Sequence, residues 1–235
     1  VNPIITNTAN PLPVTASAPR PKKRRRLIGI LMDRSYSMKE MAPEVEAGVA
    51  DFLDEQAKAE EDMKAKGERV STEVLLAQFG SEYDAVYGPV KLEDAPEYRM
   101  EVKGMTALYD SIGTIVEALR ARVAEKKANG RKVDVTLVVM TDGGENHSKR
   151  IRTSAAVREI VEECRAQGWQ VLFLAANQDA VLTGQSLGVA PDMALTYNAS
   201  TASGGVLRAA GAAVSMSYAS GVPVSFSEAD RSAVQ

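Results

Sequence analysis

The chain has 235 residues, 28 Lys plus Arg against 31 Asp plus Glu, a formal net charge of −3 and a single cysteine, Cys164. The small acidic excess argues against nucleic acid or a membrane surface as the partner of the folded part, and one cysteine excludes an internal disulfide. Without a secretory apolar segment or a long apolar span, the expected compartment is a reducing cytoplasm.

Residues 1–21 carry Pro3, Pro11, Pro13, Pro19 and Pro21 among Asn, Thr, Ser and Ala. They hold too little apolar surface to offset the entropy of ordering. A disordered arm is therefore expected over residues 1–26, ending in the basic run Lys22-Lys23-Arg24-Arg25-Arg26. Such a run reads as a solvated charge cluster before the first strand, or else as a nuclear signal, a nucleic-acid patch or a contact for an acidic partner.

Residues 27–33, Leu-Ile-Gly-Ile-Leu-Met-Asp, form an apolar run that reads as a strand buried on both faces, with Asp33 at its C-terminal end. Val45, Val49, Phe52, Leu53, Ala57 and Met63 place an amphipathic helix over 39–65, closed by Gly67. Residues 70–79 and 83–92 are two strands whose connection is too short for a parallel crossover, so they form a hairpin with one antiparallel edge strand. A helix over 105–128, a strand over 133–141, a helix over 151–167 and strands over 169–176 and 193–197 follow. A small-residue helix over 201–219 ends the domain, and a flexible tail is expected over 220–235. The alternation specifies a doubly wound, mostly parallel α/β sheet over 27–219, Rossmann-like, with helices on both faces.

Five hard oxygen donors fall at strand ends or loops of this arrangement: Asp33, Ser35 and Ser37 in MDRSYSM, Thr106 in GMTALYD, and Asp142 in VVMTDGGEN. In open α/β sheets ligands bind outside the C-terminal ends of the strands. Two carboxylates with three hydroxyls suit a small hard cation that keeps some of its waters. Met32, Met105 and Met140 are expected to pack beneath these donors.

The three segments resemble the metal-ion-dependent adhesion site (MIDAS) of von Willebrand factor type A domains, whose pattern is Asp-x-Ser-x-Ser, then a Thr, then an Asp in a Thr-Asp-Gly turn. The resemblance implies that Ser35, Ser37 and Thr106 hold a Mg²⁺ ion, or Mn²⁺ or Ca²⁺, directly or through water, while Asp33 and Asp142 balance its charge. One coordination position then stays open for a Glu or Asp carboxylate of a protein partner. Arg34, Tyr36, Glu145 and His147 are the expected rim. It further implies a non-catalytic adaptor of the bacterial or phage intracellular type, working beside an AAA+ ATPase or an assembly component.

Two other classes compete with that reading. A metal-dependent hydrolase or phosphatase would use the same ion to activate water, with His147 as the one candidate base. A nucleic-acid-binding factor would act through residues 22–26. Gly184-Gln185-Ser186-Leu187-Gly188 matches the nucleophile elbow of α/β-hydrolases, but no strand runs directly into Gly184, and the only histidine precedes the serine. Cys164 reads as a small core residue.

Overall fold

A computed structural model gives the conformation of residues 23–176 and 180–235; residues 1–22, which hold most of the expected arm, lie outside the described residues. Six strands form one sheet in the order β3-β2-β1-β4-β5-β6. They are β1 (Arg24–Asp33), β2 (Val70–Phe79), β3 (Tyr83–Lys91), β4 (Asp134–Thr141), β5 (Gln170–Ala176) and β6 (Ala194–Tyr197). All pairs are parallel except β2 with β3, the antiparallel edge foreseen from the short Gly80–Glu82 connection.

Each inner strand is apolar on both sides because helices cover both faces. One face packs Ile28, Ile30 and Met32 with α1 (Ala42–Ala65) and α5 (Ser203–Ser220). The other packs Leu27 and Leu31 with α2 (Leu108–Ala128), α3 (Ser154–Ala166) and α4 (Ala180–Ser186). α1 and α5 approach closely through small residues: a Cβ on Gly48 would lie 3.0 Å from Gly204 Cα. The glycine and alanine content of α5 is therefore explained by packing inside the domain. Among the described residues no helix is long and apolar enough to cross a membrane.

Two expectations are corrected. β1 begins at Arg24, so three of the five residues of the basic run belong to the sheet, with Arg24, Arg25 and Arg26 paired to Val70, Ser71 and Thr72. Arg26 is only 4% exposed, its guanidinium 4.1 Å from the Tyr218 ring and hydrogen bonded to Gln56 Oε1. Burial lowers its pKa to about 10, which still leaves it charged at neutral pH. The chain after Gly221, expected to be flexible, is packed instead. Val224, Phe226 and Val234 are buried, and Phe226 N–H donates to the Asp192 carbonyl at 2.8 Å. A short helix, α6 (Glu228–Ala233), is held by a capping box between Ser227 and Asp230.

The strand order also creates the site. From β1 the chain winds outward to β2 and β3, then returns to β4 on the other side of β1 and winds out to β5 and β6. Connections leaving β1 and β4 therefore diverge, and a crevice opens between Asp33 and Asp142. The segment 103–107 crosses this end, tied by Lys103 N–H to the Arg34 carbonyl (2.8 Å) and Ala107 N–H to the Gly80 carbonyl (2.8 Å). Only glycine fits beneath it, since a Cβ on Gly80 would stand 2.1 Å from the Lys103 carbonyl oxygen. Gly80→Ala is expected to cost about 2 kcal/mol or more in urea unfolding, because backbone must move. Gly88→Ala, where a Cβ meets nothing within 4 Å, should stay within about 0.5 kcal/mol.

Candidate functional site

Asp33 is fully buried at the C-terminal end of β1. Its Oδ1 accepts the Ser35 N–H at 2.8 Å, and its Oδ2 accepts the hydroxyl of Thr141, the last residue of β4, at 2.6 Å. The first bond turns the chain back on itself, so that Ser35 and Ser37 face the same way. Their hydroxyl oxygens are 3.1 Å apart, and Ser37 Oγ donates to Asp142 Oδ1 at 2.8 Å. Four of the five expected donors thus form one continuous hydrogen-bonded chain.

Thr106 reaches the same place from the crossing segment: a Cβ on Gly143 would lie 3.9 Å from Thr106 Oγ1. Its backbone is clamped by the loop after β4. Thr106 N–H donates to Asn146 Oδ1 at 2.9 Å, and the Thr106 carbonyl accepts the N–H groups of Asn146 and His147. Asn146 and Thr141 are the positioning residues that sequence reasoning missed. Both lie within a few residues of Asp142; the Asn146 side chain accepts from the Thr106 segment, and the Thr141 hydroxyl bonds Gly143 beside it as well as Asp33 across the sheet.

The expected rim is only partly present. Tyr36 is 68% exposed beside the donors, and His147 is half-buried. Arg34 does not belong to the rim: it is 2% exposed and lies beneath the crossing segment, its Nη1 3.2 Å from Asp84 and 3.7 Å from Glu101. Alternation along an extended chain sends it away from its neighbours Asp33 and Ser35. Glu145 is spent internally, accepting from the N–H groups of Tyr109, His147 and Ser148 and from the Ser148 hydroxyl. Met32 and Met140 pack beneath the site as expected, whereas Met105 is 47% exposed at its edge. Ser186 lies at the end of α4 and donates to the Thr183 carbonyl at 2.7 Å, a placement unlike a strand-to-helix elbow. Cys164 is buried.

Burial pushes the Asp33 carboxyl up from 3.8 to about 6, against the opposing pull of its bonds from Thr141 and Ser35, and Asp142 nearby raises it further. Burial also raises Asp142, opposed by the Ser37 hydroxyl. Neither carboxylate forms an ion pair among the described residues. Nor is there a cluster of three or more His, Cys, Asp and Glu there, so a soft or strongly chelated metal has no site of that kind. Two near carboxylates with raised pKa values, three hydroxyls and no facing cation form a donor set that fits a hard divalent ion.

The family model of the von Willebrand factor type A domain matches residues 28–204. Among solved structures the chain is similar to the pilus adhesin SpaC from Lactobacillus rhamnosus GG, at 16% identity and a TM-score of 0.58, over 81% of this chain and 30% of that one. It is similar to a von Willebrand factor type A protein from Catenulispora acidiphila, at 11% identity and a TM-score of 0.55, over 83% and 43% of the two chains. It is also similar to proximal thread matrix protein 1 from the mussel byssus, solved with a zinc-occupied MIDAS motif, at 15% identity and a TM-score of 0.53, over 80% and 46%. The chain spans less than half the length of each of these three, and such identities show the fold alone. No curated protein sequence matches significantly.

The raised Asp33 pKa has a definite sign. Because the folded value exceeds the ordinary one, stability is unaffected below about pH 4 and is lost as pH rises towards about 6. In metal-free buffer, wild type is expected to lose about 2 kcal/mol relative to Asp33→Asn across that window, read from urea unfolding at each pH. A difference that is flat with pH would show that the carboxyl is not penalised by burial.

Proposed function

Since this chain belongs to the von Willebrand factor type A family, we propose that it is a protein-interaction module whose contact is completed by a divalent ion at Asp33, Ser35, Ser37, Thr106 and Asp142. The observation that carries the proposal is the hydrogen-bonded run from Asp33 through Ser35 and Ser37 to Asp142, with Thr106 beside it at the strand-order switch point. When bound, Mg²⁺, Mn²⁺ or Ca²⁺ would offer an electrophilic position to an incoming carboxylate.

The chain's own residues divide the work. Ser35, Ser37 and Thr106 supply neutral oxygens. Asp33 and Asp142 supply the compensating charge without surrounding the site, so part of the ion's charge is left for a partner's Asp or Glu. Thr141 and the Ser35 N–H hold Asp33 in one orientation, and Asn146 does the same for the Thr106 segment. Tyr36 stands exposed where a partner would approach. On the resemblance alone, the partner we propose is an AAA+ ATPase or an assembly component in a bacterial or phage-infected cytoplasm.

A hydrolytic role for the same ion is the weaker reading. It requires a base to take a proton from water, and the candidate, His147, is held through its backbone N–H by Glu145 and the Thr106 carbonyl, with no hydrogen bond among the described residues that aims its imidazole at the donors. We therefore propose binding rather than catalysis as the role of this site.

Saturating Mg²⁺ is expected to raise the thermal midpoint of wild type, with about 2.7 kcal/mol of stabilisation at a hundredfold excess over Kd. Chelation should reverse the rise, and Asp33→Ala and Thr106→Ala, verified as folded by circular dichroism, should lose it. Affinity should fall about tenfold per pH unit below about 6, where a proton competes for Asp33. An equal Mg²⁺-dependent rise in both variants would sink the proposal.

A further inference from the structure

At the opposite end of β1 the surface changes sign. A cleft of about 260 Å³ lies between the amino ends of the strands and the last turns of α2, and Lys23, Arg25, Lys91, Arg122, Lys126 and Arg131 line it. Among the described residues that line it the single carboxylate is Glu73, while Glu93 pairs with Lys91 and Glu125 with Arg122 from outside the lining. We infer that this cleft binds a compact polyphosphate group, a di- or triphosphate, independently of the metal site.

The strand geometry explains why these cations converge. Leu27 faces the α2 side of the sheet, so Arg25, two residues earlier, projects the same way. Lys91 is directly opposite Glu73 in the β2–β3 pairing and shares that face. Arg122 and Lys126 stand one turn apart on α2, and both hold Glu73. Arg131 comes from the turn that leads α2 into β4. Arg26 also borders the cleft, but its guanidinium is turned to the other face, onto Tyr218.

Ordinary structural needs account for part of the cluster. Lys126 complements the negative end of the α2 dipole, and Arg122 pairs with Glu73. They do not account for Lys23, half-buried Arg25 or Arg131, none of which has an ion-pair partner among the described residues. The chain as a whole carries −3, so the excess is local. Guanidinium groups held together repel one another unless an anion lies between them, and their planar forks match phosphate oxygens two at a time. Leu27 and Val133 also line the cleft, so part of its wall is apolar and the cations stand around a small space of about 260 Å³. So small a space favours several charges on adjacent phosphorus centres over the carboxylates of an extended peptide, which on one face stand two residues, about 6.6 Å, apart.

Arg25 lies roughly 26 Å from Asp33 along β1, so the two sites can be tested separately. Isothermal titration calorimetry with inorganic tripolyphosphate, in metal-free buffer of low ionic strength, is expected to show one-to-one binding. Arg131→Ala, at an exposed position, and the double variant Arg25→Gln with Arg131→Ala should weaken it, the double by about tenfold or more. Asp33→Ala should bind within about twofold of wild type, since the metal site takes no part. A nucleoside triphosphate binding as tightly as tripolyphosphate would support a site that reads phosphate alone. No saturable binding, equal binding by the folded double variant, or sulfate binding as tightly as tripolyphosphate would overturn the inference. So would tighter binding of a short single-stranded oligonucleotide, which would make the cleft a nucleic-acid contact.

Discussion

A carboxylate buried at the end of the central strand is the constraint to which the upper face of this domain is fitted. Asp33 has no access to water, so each of its oxygens must be satisfied by the protein. Thr141 Oγ1 satisfies one from β4, and the Ser35 N–H satisfies the other from the next turn of its own chain. The first bond ties the two strands together where their connections diverge. The second fixes the reversal that brings Ser35 and Ser37 into line with Asp142. Bonds that cost little to form in a folded chain thus gather donors more than a hundred positions apart. Burial still leaves the Asp33 carboxyl at about 6, so the arrangement is held under electrostatic tension that a cation would relieve.

The neighbouring loops serve the same end by a different means. Segment 103–107 can cross above β1 and β2 because Gly80 and Gly104 carry no side chain; a Cβ on Gly104 would stand 2.7 Å from Ser81 N. Loop 143–151 is fastened to the start of α2, where Asp110 accepts the N–H groups of Lys149, Arg150 and Ile151 and Glu145 accepts that of Tyr109. These carboxylates satisfy backbone donors at a helix start and a loop, which is why Glu145 is unavailable to a partner.

Much of this was legible in the sequence, for identifiable reasons. The parallel core strands are continuous apolar runs, and a strand buried on both faces leaves no other reading of Leu27–Met32. The oxygen donors are legible because Asp33, Ser35, Ser37 and Asp142 stand at or just after a strand end and Thr106 stands just before α2, so that sequence position and spatial position coincide. Arg34 and Glu145 were misplaced because their direction depends on partners far along the chain, Asp84 and Glu101 for one and Tyr109 for the other. Arg24–Arg26 look like the end of a solvated arm until Tyr218, nearly two hundred residues later, supplies an aromatic face for two of them. The tail misled for a related reason: its polar letters hide Val224, Phe226 and Val234, although Ser227-Glu228-Ala229-Asp230 is a readable capping box.

A net charge of −3 conceals a separation of charge along the strand axis. In a parallel sheet with right-handed crossovers, helices such as α2 run antiparallel to the strands, starting at their C-terminal end and finishing at their amino end. Helix N-termini therefore gather at the metal-site face and draw carboxylates to it, as Glu145 and Asp110 show; C-termini gather at the other face and draw cations, as Lys126 shows. Evolution of a cation site at one end and an anion site at the other would need only to exaggerate what the topology already favours. The same reasoning limits the strength of the first. With just two carboxylates, and with the positive end of α2 facing it, the proposed upper site would hold an ion less tightly than a closed carboxylate cage. Weak, open coordination is what a contact completed by a partner's carboxylate requires, because an ion saturated by its own protein has nothing left to offer.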